Sequence, residues 1–202
     1  MGPKLELTDI VDLRAYERER PELQRRVFAL KRRRRVAVGP IVTLLFENRD
    51  TIRFQIQEMA RAEKMLRDEQ ILTELETYNP LIPEAGELSA TLFIELTSKA
   101  ELEEWLPKLV GIERSVELRV GDEVVKAEPE AAHEQQLTRE DITASVHYIR
   151  FQLSPQQVER FASDPVQLAV NHPAYQQQVD LTEETRRELL ADLRGEPAPA
   201  AG

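Results

Sequence analysis

The chain contains no cysteine. That excludes thiolate nucleophiles, disulfide exchange, cysteine-type zinc sites and iron–sulfur clusters held by the protein itself. It is also the usage expected in a reduced, cytoplasmic compartment. Glycine is scarce, 7 residues in 202, so little backbone is free to wrap a phosphate. Accordingly there is no glycine-rich phosphate loop, dinucleotide fingerprint or nucleophile elbow. No apolar run approaches the roughly 18 residues that a membrane span requires. The opening MGPKLELTD lacks the apolar stretch of a secretory signal, so neither membrane insertion nor export is expected.

What is present describes a globular protein. Hydrophobic residues make up 41% and charged residues 32%, and a chain of this length buries about 70% of its unfolded surface on folding. The net charge of −10 conceals a polarity. Residues 1–38 carry 11 Lys and Arg against 6 Asp and Glu, a net of +5, leaving 16 against 31, a net of −15, for the rest. A basic end and an acidic body suit docking within one chain, head-to-tail contact between copies in a homo-oligomer, or a nucleic-acid patch. The expected organisation is a helical amino-terminal arm over 1–38 packing on the body, one domain over 39–194 and a disordered tail over 195–202.

In the arm, Thr8 is placed to cap a first helix, and Pro21 to break it into a kinked pair. Residues 41–47 and 51–57 both alternate, with Val42, Leu44, Phe46 and Ile52, Phe54, Ile56 on one parity; with Asn48, Arg49 and Asp50 between them they predict a β-hairpin. Helices are expected from Glu58 to Leu66 and from Asp68 to Tyr78, and a strand over Glu87–Thr97. Ser98 and Glu101 then stand at capping-box spacing. Val116–Val120 and Glu123–Ala127 flank Gly121-Asp122 as a second hairpin. A polar segment over 128–141 precedes a strand from Ile142 to Leu153, and Ser154, Pro155 and Gln157 open a short helix. A strand with Val166, Leu168 and Val170, a turn at His172-Pro173, a strand over Tyr175–Leu181 and a helix capped by Thr182 complete the chain. The pattern predicts an α+β fold, a largely antiparallel sheet covered by helices.

Few residues invite a chemical role. His147 shares strand parity with Ile149 and Phe151, which sets an imidazole on an apolar face, either as a metal ligand or general base or as a histidine satisfied within the core. His172 reads as a turn residue, and His133 lies in the polar segment. Glu47, Glu58 and Glu95, with Glu63, are the carboxylates on or beside strands; converging with His147 they would suit iron, manganese or zinc. Arg49 and Arg53 are ligand-binding candidates beside them, or ion-pair partners for these acids. The spacing of Glu58 and Glu63 does not put both on one helix face, and no E-x-x-H run occurs. Lys31, Arg32, Arg33, Arg34 and Arg35 could contact a partner or a polyanion, but no aromatics interleave with them, which makes nucleic acid an unfavoured partner.

The segments LKRRRRVAVGP, VTLLFENRDTIRFQIQEMARAE, YNPLIP, GELSATLFIEL, VHYIRF and NHPAY resemble the signature blocks of a bacterial family, domain of unknown function 3501, from about Leu7 to Leu193. The resemblance carries over no catalytic residues and no cofactor. It implies a setting beside rubrerythrin-like or iron–sulfur redox proteins, hence an accessory or interaction protein of a redox or peroxide-stress system. The alternative is a small metal- or ligand-binding enzyme built on the Glu and His candidates.

Overall fold

The computed structural model describes residues 4–130 and 141–196. His133 and most of the polar segment around it, and the tail beyond residue 196, lie outside the described residues.

In chain order the strands are β1 (Arg35–Val38), β2 (Val42–Glu47), β3 (Glu87–Ile94), β4 (Val116–Val120), β5 (Glu123–Lys126), β6 (Glu128–Pro129), β7 (Val146–Gln152), β8 (Val166–His172) and β9 (Tyr175–Asp180). The helices are α1 (Leu13–Arg34), α2 (Arg49–Ala62), α3 (Asp68–Tyr78), α4 (Lys99–Trp105), α5 (Pro155–Ser163) and α6 (Glu183–Arg194). The strands form two sheets, ordered β1-β2-β3-β7-β6 and β5-β4-β8-β9, and every ladder is antiparallel. The fold is α+β.

One face of each sheet meets the other in a shared core. Leu44, Phe46, Leu92 and Phe151 come from the first sheet and Leu118 and Leu168 from the second, with Phe161 of α5 and Leu189 and Leu193 of α6 closing it. The opposite face of the first sheet is covered by α1 and α2, so β2 is buried at all six of its positions.

Several elements follow their local chemistry. Ser98 with Glu101 and Ser154 with Gln157 form reciprocal capping boxes, Pro155 occupies the first turn of α5, and Thr182 caps α6. Gly121 turns between β4 and β5 at φ +59°.

The hairpin expected over 41–57 is not formed. Its first half is β2, but its second half is α2. Asn48 caps that helix: its side chain accepts from the Thr51 amide at 3.0 Å, and the Thr51 hydroxyl accepts from the Asn48 amide at 2.9 Å. The alternation of Ile52, Phe54 and Ile56 served a helix all along. Ile52 and Ile56 are one helical turn apart and, with Ala60, face a cluster containing Leu5, Ile71 and Leu75, whereas Phe54 turns to Tyr16, Leu23 and Val27. A helix buried on two sides imitates a strand over so short a run.

The true hairpin is β1–β2, with Val36 opposite Leu44 and Val38 opposite Val42. Gly39 turns it at φ +74°, and a Cβ there would stand 2.4 Å from the Tyr175 hydroxyl. That hydroxyl donates to the Val38 carbonyl at 2.6 Å and accepts from the Ile41 amide at 3.3 Å, clamping the turn to β9.

The arm also differs from expectation. Asp12, not Thr8, caps α1, and the helix runs 22 residues through Pro21 without breaking into a pair. Thr8 lies in a short 3-10 turn, Leu7–Asp9. Residues 35–38, at the end of the expected arm, are the first strand of the sheet. Two amides hold the chain before α1 by two-point bonds. Gln57 accepts from Val11 N and donates to Val11 O, at 3.1 and 2.9 Å, and Asn79 treats Leu5 likewise at 2.8 and 2.9 Å.

Candidate ligand-binding cleft

Between the covered face of the first sheet and α2 lies a cleft of about 590 Å³. Strand register builds its floor. Leu45 of β2 pairs with Thr91 of β3, which pairs with Tyr148 of β7, and the adjoining row runs Thr43, Phe93, Val146. Phe54, Gln55, Glu58, Met59, Arg61 and Ala62 line it from α2, Lys31 from α1, and Glu47 from the end of β2. The walls are largely apolar; Thr91 and Tyr148 lie beside Glu47, and Lys31, Glu58 and Arg61 add charged groups to the lining.

Glu47 is buried, at 3% exposure. Its carboxylate accepts the Thr91 hydroxyl at 2.6 Å and the Thr51 hydroxyl on its other oxygen. Nearby, Tyr148 and Tyr78 bond each other and Gln55. Burial pushes the Tyr148 phenol upward, and the charge of Glu47 adds to this.

Glu58, in the same cleft, is neutralised differently. Arg20 grips both its oxygens, at 2.7 and 2.9 Å, and the buried Tyr16 donates to it at 2.5 Å. The Arg20 bonds hold the Glu58 carboxyl below the usual carboxylate range against the opposing effect of burial. Burial, then the bond to Glu58, drives the Tyr16 phenol upward.

The other candidates lie elsewhere. Arg49 pairs with the Asp9 carboxylate at 2.7 Å and Arg53 donates to the Asp9 carbonyl at 2.7 Å, so both fasten the 3-10 turn to α2. Glu95, half exposed, accepts from Arg35 at 3.0 Å and from Thr43 at 2.8 Å. Glu63 is exposed at the end of α2.

His147 points into the core between the sheets, on the face of β7 opposite Tyr148, and so shares no cavity with Glu47 or Glu58. Its Nε2 lies 2.9 Å from the Ala144 carbonyl and 2.8 Å from the Thr143 hydroxyl, and its Nδ1 lies 4.0 Å from buried Glu113. Because a carbonyl only accepts, Nε2 carries a proton. Desolvation lowers the His147 pKa, and the Glu113 charge opposes that. His172 is buried at the end of β8 rather than in a turn, bonded to the Val110 carbonyl at 3.0 Å. Among the described residues no three His, Asp or Glu side chains are grouped to hold a metal ion.

The cationic run is spent largely inside the molecule. Arg34 is fully buried, donating to the carbonyls of Phe46 and Glu47 at 2.9 and 3.2 Å and pairing with Asp192. Arg33 bonds Glu188 at 2.5 Å, and the Thr185 hydroxyl donates to the Arg33 carbonyl at 2.8 Å. Lys31 sits 5.4 Å from the Phe54 ring centre and Arg35 5.3 Å from that of Phe93, while Arg32 is exposed.

Glu47 and Glu58 are legible in the sequence as ligand-binding candidates, and Lys31 as part of the cationic run, whereas Thr91, Phe93, Tyr148 and Gln55 are not. The available signal was parity: Thr91 and Phe93 alternate with the core residues of β3, and Tyr148 with His147.

An antiparallel two-sheet α+β protein with an amphipathic cleft between sheet and helix is the class that this architecture defines. The chain belongs to the family described as "Protein of unknown function (DUF3501)", whose model matches residues 4–193. It is similar to a solved structure, a novel protein of unknown function from Burkholderia pseudomallei K96243, at 36% identity and a TM-score of 0.87, covering 95% of this chain and 100% of that one. No curated protein matches. Four of the blocks that carry the family resemblance meet at the cleft: LKRRRR supplies Lys31, FENRDTIRFQIQEM supplies Glu47, Phe54, Gln55, Glu58 and Met59, LSATLF supplies Thr91 and Phe93, and VHY supplies Val146 and Tyr148. Among the described residues no helix is long and apolar enough to cross a membrane.

Proposed function

We propose that the protein binds a small amphipathic organic molecule in the cleft under α2 and serves as an accessory component rather than as a catalyst. The observation that carries this is the cleft itself. Its volume of about 590 Å³ falls in the range of small-molecule sites, and apolar walls from Phe54, Met59, Phe93 and Val146 lead to a few convergent polar groups at Glu47, Gln55, Thr91 and Tyr148. A role beside a redox or peroxide-stress system, the setting that the family resemblance implies, accords with a binder that holds no cysteine of its own.

The neutral fluorophore N-phenyl-1-naphthylamine tests the reading. Its emission should rise on mixing with the full chain and saturate as one site. Ala62→Trp, which fills the α2 side of the cleft, should weaken that binding about tenfold or more while the far-ultraviolet circular dichroism is kept. Absence of binding, or binding indifferent to Ala62→Trp and to a second filling variant, Val146→Trp, would overturn it.

A further inference from the structure

Glu47 is buried, and among the described residues no cation forms a salt bridge with it. Its carboxyl accepts from two hydroxyls, Thr91 and Thr51, and hydroxyls bring no charge. The described cations around it bond elsewhere: Arg150, in the same cross-strand row through Ser89, reaches Glu87 at 3.4 Å and the Pro80 carbonyl at 2.9 Å. Arg20 is held by Glu58, Arg61 by Glu17 at 2.5 Å, and Lys31 lies over the Phe54 ring. Arg34 reaches the Glu47 carbonyl, not its carboxylate, and faces Glu188 and Asp192. A carboxylate removed from water is costly unless paired, and its two oxygens offer about four acceptor positions, of which hydroxyls fill two. Glu47 is itself part of the cleft lining. Phe54 and Phe93 line the same cleft with apolar ring surface.

Resting on the reading of the cleft as a ligand site, we infer that its ligand is a small organic ammonium ion, whose N–H groups pair with the Glu47 carboxylate while its apolar body packs between Phe54, Met59, Phe93 and Val146. Charge-assisted hydrogen bonds of this kind are the strong ones and are sensitive to geometry. Gln55 and Tyr148, which line the same cleft, flank the ammonium.

Calorimetric titration of the full chain with three probes of one shape tests this: 2-phenylethylammonium, the neutral 2-phenylethanol and the anionic 3-phenylpropionate. The ammonium should bind about tenfold or more tightly than the alcohol, and the carboxylate most weakly. Glu47→Gln should erase the preference for the ammonium, whereas Glu95→Gln, a carboxylate outside the cleft, should keep it. If Glu47→Gln does not fold, the charge series on the unaltered protein decides alone. Equal binding of ammonium and alcohol, or a preference that survives Glu47→Gln, would overturn the inference while N-phenyl-1-naphthylamine binding still upheld the cleft. Failure of every probe would remove both.

Discussion

Glu47 and His147 are both buried titratable groups, and the parity of their strands decides that they never meet. His147 shares its face of β7 with Ile149 and Phe151, which was legible from alternation alone, and that face is the core. In the unfolded chain its imidazole titrates at the ordinary value of 6.5, but burial lowers it in the folded protein. Between those two values the unfolded chain takes a proton that the folded protein refuses. The stability set by His147 is therefore complete above pH 6.5 and is lost as pH falls toward the lowered folded value. The slope from this residue is at most about 1.4 kcal/mol per pH unit. Urea midpoints across the mildly acidic range should fall more steeply for the unaltered protein than for His147→Gln, whose amide can still donate to Ala144. Parallel slopes would show that His147 keeps its ordinary titration. What alternation did not reveal is the partner, Glu113, since it reaches the core from a 3-10 turn with no period to read.

At the scale of elements, capping chemistry was the most dependable guide and periodicity over short runs the least. The boxes at Ser98 and Ser154 opened helices where their spacing required. Asn48 reads as a turn residue because apolar alternation on both sides of it favours a hairpin. Asn, Asp and Arg suit a turn, but Asn48 with Thr51 equally suits a helix start, and burial of α2 on two sides removed the single apolar stripe that marks most surface helices. Pro21 is the converse case. Proline gives Glu17 no amide donor one turn back and crowds its carbonyl, yet α1 continues because Tyr16, Leu23, Val27 and Leu30 are all buried along its length. Packing outweighs the local cost. Since Pro21 is exposed, Pro21→Ala should stabilise the fold by about 1–3 kcal/mol, read as a higher urea midpoint at unchanged slope. A midpoint that stays or drops would mean that the proline is accommodated without strain.

Across the whole molecule, the charge polarity that the sequence displays resolves largely within the chain. The basic end of α1 docks on the acidic face of α6, where buried Glu188 and the mostly buried Asp192 pair with Arg33 and Arg34. The sequence showed the excess of charge at each end but not the pairing, because the partners lie 155 and 158 residues apart. Arg34 is the centre of this joint: it binds α6 with its charge and the end of β2 through two carbonyls, so it ties the last helix to the floor of the cleft. Desolvation raises the Asp192 carboxyl, and Arg34 counters it. Removing the guanidinium leaves Asp192 without its cation and beside Glu188, which keeps only Arg33, and breaking a buried pair in this way costs about 3–5 kcal/mol. Arg34→Met should therefore lower stability by that order in urea unfolding. Adding Glu188→Gln and Asp192→Asn should restore a large part of the loss, though not the bonds to Phe46 and Glu47. If the triple variant is no more stable than Arg34→Met, the joint is held by packing and carbonyl bonds rather than by charge, and the polarity of the sequence has another purpose.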